Sequence, residues 1–445
     1  MAYYSRPHIC QCLTRISTIR GSSVVTVSGD RVTTGGEFVE QVLSLARGLV
    51  EVGVRAGDVV AICAYNSDWY LEWLLAVAFI GGVVAPLNYR WSFNEAKTAM
   101  LSVQPVMLAC DGSCNSWNTE LNSNDIASLR WHVRFGSSNS GLTMETLKQS
   151  VKGSPQISYS WAPEAAVIVC FTSGTTGRPK GVLMSHSALI VQSLAKVALV
   201  GYGEDDIYLH TAPLCHIGGL SSAFAMLMVG ACHILIPKFE ATIAADAIER
   251  YSVTSLITVP TIMADMISLA SNTGTSKRMQ SVTKILNGGG GLSLELIQGA
   301  KRCFPRARLT SAYGMTETCS SLTFMSLNGS EPLGKPKSDS LHQPQGVCVG
   351  KPAPHVELKI CRDGSSSSTG RILTRGPHLM LGYWGRDIIE RAAPARGGEE
   401  EWLDTGDVGS IDGRGNLWLS GRANGRIKSG GENVYPEEVE VILLE

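Results

Sequence analysis

Phe171-Thr172-Ser173-Gly174-Thr175-Thr176-Gly177-Arg178-Pro179-Lys180-Gly181 is the stretch that decides how this chain reads, and it follows the continuous apolar run Ala165–Phe171. Such a run predicts a strand buried on both faces of a parallel sheet. Gly174, Gly177 and Gly181 permit tight turns and let backbone N–H groups approach an anion. The hydroxyls of Thr172, Ser173, Thr175 and Thr176 can donate to phosphate oxygens, and Lys180 adds a positive charge. The string is not a Walker A loop, which needs Gly-Lys-Ser/Thr: here Arg178-Pro179 precede Lys180 and Gly181 follows it. A kinase or P-loop NTPase is therefore disfavoured, and the plain alternative is a solvated Gly/Ser/Thr loop.

Around this loop the chain runs to 445 residues, enough for two to four domains or subdomains. Charged residues make up 17%, below the usual share of about 25%, which predicts a large buried interior. A net charge of −1 supplies no global basic field for nucleic acid. The twelve cysteines form no CxxC pair and no repeated Cys/His spacing, so they read as reduced thiols, not as a zinc site or a disulfide framework. Gly218 to Pro237 lacks Asp, Glu, Lys and Arg, but Gly230, His233 and Pro237 interrupt it, which predicts a buried helix followed by a strand instead of a membrane span. Arg6, Arg15 and Arg20 precede the first acid, Asp30, as in an organelle transit peptide. Yet Ile9, Leu13, Ile16 and Ile19 already read as one helix face, and both readings stay open.

The rest of the chain alternates helices with short apolar strands. Phe38 to Val50 and Trp69 to Ile80 read as helices, Val59 to Ala64 and Val83–Leu87 as strands. Ser255–Val259, Lys284–Leu286 and Arg308–Ala312 repeat the theme, with Pro260 and Ser293 as first-turn or cap residues of the helices that follow. This predicts α/β architecture with helices on both sheet faces. Asn328 to Gln345 reads as a long surface loop, and residues 346–420 as mainly β, with turns at Asp412-Gly413 and Gly415-Asn416 and a hairpin tip at Ser365–Ser368.

Four glycine- or acid-bearing strings follow strands or turns downstream. Tyr313-Gly314-Met315-Thr316-Glu317 places a hydroxyl and a carboxylate at a strand's carboxyl end, where ligand chemistry collects. Asn287-Gly288-Gly289-Gly290-Gly291 leaves bare backbone for a flat ring, although a glycine run alone is weak evidence. Leu403-Asp404-Thr405-Gly406-Asp407 and Gly421-Arg422-Ala423-Asn424 complete the set, with His216 in Pro213-Leu214-Cys215-His216-Ile217-Gly218-Gly219.

Thr172 to Gly181 resembles the signature loop of the adenylate-forming superfamily, which includes acyl-CoA synthetases, luciferases and peptide-synthetase adenylation domains, and the resemblance covers nearly the whole chain. It implies a large N-terminal domain of two doubly wound α/β subdomains, residues 1–160 and 161–340, plus a small β-barrel-like subdomain, 341–420. A hinge, 421–424, and the start of a C-terminal domain, 425–445, follow. By the resemblance ATP, Mg²⁺ and CoA are the cofactors. Thr172, Ser173, Gly174, Thr175, Thr176, Gly177 and Lys180 would cradle phosphate; Thr316 would touch the α-phosphate and Glu317 hold Mg²⁺. Gly288, Gly289 and Gly290 would lie beside the adenine and the acyl pocket, Tyr313 would contact the nucleotide, and Asp407 and Arg422 would reach the ribose. Asn424 would be the pivot, where many relatives carry Asp or Lys. His216 would gate or polarise the substrate, against the plainer reading of a hydrogen-bonded core histidine.

Pro436 to Glu445 resembles only the first helix of the family's C-terminal domain, so that domain and its catalytic lysine are expected to be almost entirely missing. The expectation is a chain that binds ATP, adenylates slowly or not at all, and fails at thioester formation. A non-catalytic nucleotide-binding homologue is the reading of another class.

Pro86-Leu87-Asn88-Tyr89-Arg90-Trp91-Ser92, Gly201-Tyr202-Gly203-Glu204-Asp205-Asp206 and Ser320-Ser321-Leu322-Thr323-Phe324-Met325 are similar to the plant 2-succinylbenzoate–CoA ligase branch, which implies phylloquinone biosynthesis in a plastid or peroxisome. Coumarate-type and fatty acyl-CoA ligases are the nearest rivals, so the partner is a small aromatic or acyl carboxylic acid. An acid of the first kind carries two carboxylates, and the unreactive one needs a cation or several donors. No residue declares itself as that partner from sequence, and the oligomeric state is not set either.

Overall fold

The computed structural model describes residues 6–112, 121, 125–136, 141–149, 158–172, 179–273, 278–328, 346–362, 369–385, 394–395, 399–425, 427–429 and 432–434. The architecture is mixed α/β on two large sheets. Strand membership does not follow chain order.

The smaller sheet has eight strands among the described residues, in the order Gly382–Tyr383, Lys180–Ser185, Ala166–Thr172, Val83–Pro86, Val59–Cys63, Met107–Cys110, Trp131–Arg134 and Leu142–Thr143. Its central strands Val59–Cys63, Val83–Pro86 and Met107–Cys110 are buried at every position, as apolar runs covered on both faces must be. Helix Gly35–Glu51 starts at Thr34, which shares a reciprocal capping box with Glu37. Helix Asp68–Phe79 is buried nearly all round.

The larger sheet has a parallel centre of Val24–Ser28, Cys232–Leu235, Ile207–His210, Ser255–Thr258, Lys284–Asn287 and Arg308–Met315. It continues antiparallel through Ser320–Ser326, Val347–Pro352, Leu417–Arg422, Glu399–Ile411, Gly370–Arg375 and Glu357–Cys361. Most described strands after residue 346 thus extend this sheet edge to edge, while Gly382–Tyr383 pairs into the smaller one. The strand Val24–Ser28 belongs to the larger sheet, and the strands Ala166–Thr172 and Lys180–Ser185 belong to the smaller one.

Local expectations meet mixed outcomes. Pro260 opens helix Pro260–Thr273, and Ser293 caps helix Leu294–Cys303 by accepting the Leu296 N–H at 3.2 Å. The uncharged run forms helix Ile217–Val229 and strand Cys232–Leu235, and among the described residues no helix is long and apolar enough to cross a membrane. Ile9, Leu13 and Ile16 are buried, but Ile19 is 38% exposed: helix Gln11–Arg20 presents its last turn to solvent. The predicted loop at 329–345 and the serine tip at 365–368 lie outside the described residues.

Candidate active site

Parallel strands Ser255–Thr258, Lys284–Asn287 and Arg308–Met315 end on one edge of the larger sheet, with Thr258 beside Asn287 and Asn287 beside Ser311. Carboxyl ends of parallel strands are where α/β sheets bind ligands. Here Gly289 takes φ +70°, a backbone state that favours glycine, and a side chain added at Gly288 or Gly291 would meet nothing within 4 Å. Gly288 and Gly291 therefore present open backbone, whereas a Cβ at Gly289 or Gly290 would press on Val259 (3.3 Å) or Pro260 (3.2 Å). Beneath them Asn287 is fully buried, donates to the Gly290 carbonyl at 2.8 Å, and keeps its Oδ1 without a partner among the described residues.

The next strand carries the acid. After Met315 the chain makes one tight turn, Thr316–Thr318, and returns antiparallel as Ser320–Ser326. The return needs Cys319 at φ 54° and Ser320 at φ 118°, both costly for residues with a Cβ. Gln192, buried on helix His186–Val200, holds this turn: its amide donates to the carbonyls of Thr318 (3.0 Å) and Ser321 (2.8 Å), and its oxygen accepts the Ser321 N–H.

Lys180 and Glu317 meet across one residue that sequence reasoning missed. Lys180 is exposed, pairs across the hairpin with Thr172, and sets its Nζ 5.5 Å from the centroid of the Tyr383 ring, within cation–π range. Tyr383 Oη donates to Glu317 Oε1 at 3.0 Å. Burial first, and then the Glu317 charge, push the Tyr383 phenol above its ordinary pKa, so it stays a donor. Main-chain bonds fix the cluster: Met380 N–H donates to the Glu317 carbonyl (3.0 Å) and Trp384 N–H to the Gly181 carbonyl (2.7 Å). Ser173, Gly174, Thr175, Thr176 and Gly177 lie outside the described residues.

A second cluster lies on the same strand. Tyr313 Oη donates to Asp407 Oδ2 at 2.5 Å, and Arg422 Nε sits 3.0 Å from Asp407 Oδ1. Asp407 is only 4% exposed, and Asp407 and Arg422 are partners in neighbouring strands. Burial, with the Asp407 charge behind it, holds the Tyr313 phenol protonated. His216 stands apart from both clusters. It precedes helix Ile217–Val229 and is exposed as a residue, with neighbours crowding its ring. That crowding, with Arg90 second, lowers its pKa and keeps it neutral.

Magnesium takes few carboxylates and completes its shell with phosphate oxygens and water. Glu317 fits that demand, since its Oε2 has no partner among the described residues while Oε1 is steadied by Tyr383. The cation Lys180, bare glycine backbone and a buried Asp407 paired with the exposed Arg422 suit a nucleotide. The family model for AMP-binding enzymes matches residues 17–384.

The chain belongs to the AMP-binding enzyme family.

Within this family it is 57% identical to the chloroplastic/peroxisomal 2-succinylbenzoate–CoA ligase of Arabidopsis thaliana, over 100% of this chain and 82% of that protein. Indoleacetate–CoA ligase of Aromatoleum aromaticum is 33% identical over 90% of this chain and 76% of its own length. Among solved structures, o-succinylbenzoate CoA synthetase from Bacillus subtilis, in complex with its acyl-adenylate intermediate, superposes with a TM-score of 0.79 at 27% identity, covering 99% of this chain and 83% of that one. The same enzyme with ATP and magnesium gives 0.80 at 27% identity, over 99% and 84%.

Proposed function

We propose that this chain is an AMP-forming acid–CoA ligase that uses ATP and Mg²⁺ to activate 2-succinylbenzoate, a step of phylloquinone biosynthesis. The observation that carries the reading is the Lys180–Tyr383–Glu317 cluster beside the open glycine edge, in a chain 57% identical to a ligase of that acid.

A carboxylate is a poor acyl donor because it lacks an adequate leaving group. Its attack on the α-phosphorus of ATP expels pyrophosphate and leaves a mixed anhydride, which the CoA thiolate then opens with release of AMP. The first step brings anions together, so preorganised positive charge and donors must offset them. Lys180 supplies one cation and the Thr316 hydroxyl a donor to the α-phosphate. Glu317, steadied by Tyr383, holds the metal ion, which offsets phosphate charge when bound. Gly288–Gly290 take the adenine face, and Asp407 accepts the ribose hydroxyls with Arg422 beside it. His216, kept neutral, lines the acyl side without adding charge. The compartment, by likeness to the plant relative, is plastid or peroxisome.

The test is ATP–pyrophosphate exchange and CoA-thioester formation across a panel of 2-succinylbenzoate, coumarate and fatty acids. Exchange stimulated by 2-succinylbenzoate above the others is expected; preference for coumarate or a fatty acid would overturn the substrate. Asp407→Ala is expected to weaken AMP binding by about 1.5–3 kcal/mol, the worth of hydrogen bonds to a charged group. Calorimetry showing unchanged AMP affinity would remove Asp407 from the ribose site.

A further inference from the structure

We propose that Lys196 is the specificity-determining residue for the acid: its ammonium binds the second, unreactive carboxylate of an aromatic dicarboxylic acid. The proposal rests on the ligase reading above and names the cation that reading requires.

Lysine is almost never fully buried without a paired charge. Lys196, on helix His186–Val200, is 0% exposed. Its Nζ donates to the hydroxyls of Ser221, Ser222 (3.3 Å) and Ser320 (3.2 Å), and among the described residues no carboxylate pairs with it. Hydroxyl dipoles solvate an ammonium group without neutralising it, and stripping water from a cation costs several kcal/mol. Burial accordingly lowers the Lys196 pKa to about 7. An incoming carboxylate would recover that cost, and a monocarboxylic acid would not.

The position of the ammonium matters as much as its isolation. Ser221 and Ser222 lie on the helix that starts directly after His216, and Ser320 comes three residues after Glu317. Gln192, one helical turn before Lys196, grips the turn that bears Thr316 and Glu317. Lys196 therefore sits where the elements bearing His216 and the Thr316–Glu317 turn meet. The hydroxyl ring is also lopsided: Ser221 and Ser222 are 0% exposed, whereas Ser320 is half-buried. The approach to the ammonium is from Ser320, the side of the catalytic turn. A carboxylate arriving there takes the place of Ser320 Oγ on the ammonium, and the freed hydroxyl can turn to donate to it. An acid with one carboxylate at the α-phosphate and another on its ring spans these two ends.

The test uses two non-hydrolysable acyl-sulfamoyl adenosines, one made from 2-succinylbenzoate and one from the same acid without its ring carboxylate, with AMP as a folding control. Truncating one partner of a buried charge pair converts to about 100-fold in affinity. The wild type is expected to prefer the dicarboxylate compound by about that factor, and Lys196→Met to lose the preference while binding AMP and the monocarboxylate compound normally. Lys196→Gln, which retains hydrogen bonding to the serines, gives the same comparison should Lys196→Met fail to bind AMP. A neutral variant that binds AMP and keeps the full preference overturns the role of Lys196 and leaves the substrate reading standing. A wild type without any preference overturns the substrate reading and the proposal together.

Discussion

Glu317→Gln makes ATP binding indifferent to Mg²⁺ and slows acid-dependent pyrophosphate exchange by at least about 100-fold, the size of loss seen when one preorganised electrostatic group is removed from a transition state. Glutamine keeps the shape and can still accept the Tyr383 hydroxyl, so the loss reports on charge alone. AMP affinity should change little, because AMP lacks the pyrophosphate part whose charge a metal ion held by Glu317 would help to offset. Tyr383→Phe separates holding the carboxylate from supplying it: a partner of a metal ligand is worth about 10–100-fold in metal affinity or activity. It is therefore expected to weaken the Mg²⁺ response partially, and Glu317→Gln to remove it. Calorimetric titration of ATP with and without Mg²⁺ decides the matter, and an ATP affinity of Glu317→Gln that still rises with Mg²⁺ as in the wild type would take Glu317 out of the metal site.

That prediction turns on residues of unequal legibility. Thr316 and Glu317 were readable because a strand with an apolar pattern, Arg308 to Ala312, ends just before them. The glycine run was only weakly readable, because a flexible turn uses the same residues, and its place beside the adenine came from the family resemblance alone. Tyr383 was not, because it lies in a two-residue strand, too short for any periodicity, and reaches Glu317 only through pairing with Leu183 and Val182 far away in sequence. Lys196 was not, because a lysine in a helix reads by default as solvent-facing, and its burial depends on helix Ile217–Val229 packing alongside. Sheet membership was hidden for a related reason. Pairing of Val24–Ser28 with Cys232–Leu235 is a contact across some two hundred residues, and local patterns carry no record of such partners.

Acid weakens this protein well before its carboxylates are protonated, and buried histidines are the cause. His8, His186, His210, His233 and His378 are each at most 1% exposed, and burial is the first cause of a lowered pKa for all five. His8 and His378 fall to about 4, and His186 and His233 to about 3. Geometry agrees, since the rings serve as acceptors: His186 Nδ1 takes the Ile9 N–H, and His8 Nδ1 takes the Cys10 N–H. His210 Nε2 and His233 Nδ1 share one proton at 2.9 Å, and the His8 and His186 rings lie 4.0 Å apart, so a second charge in either pair would repel the first. The native state thus keeps these rings neutral, while the unfolded chain protonates them below about pH 6.5. Their contribution is complete above that value and shrinks as pH falls, by about 1.4 kcal/mol for each histidine at one unit below it. Glu72 runs the other way, since burial raises it to about 7 against the pull of Lys148, but it is one group against five. Five such losses near pH 5.5 are comparable to a typical folding free energy of about 5–15 kcal/mol. The thermal midpoint should therefore drop steeply between pH 7.5 and 5.5, and His210→Gln/His233→Gln, which removes two titrating groups, should flatten that drop. A midpoint constant across the window in the wild type would show that these histidines already carry their protons in the folded protein.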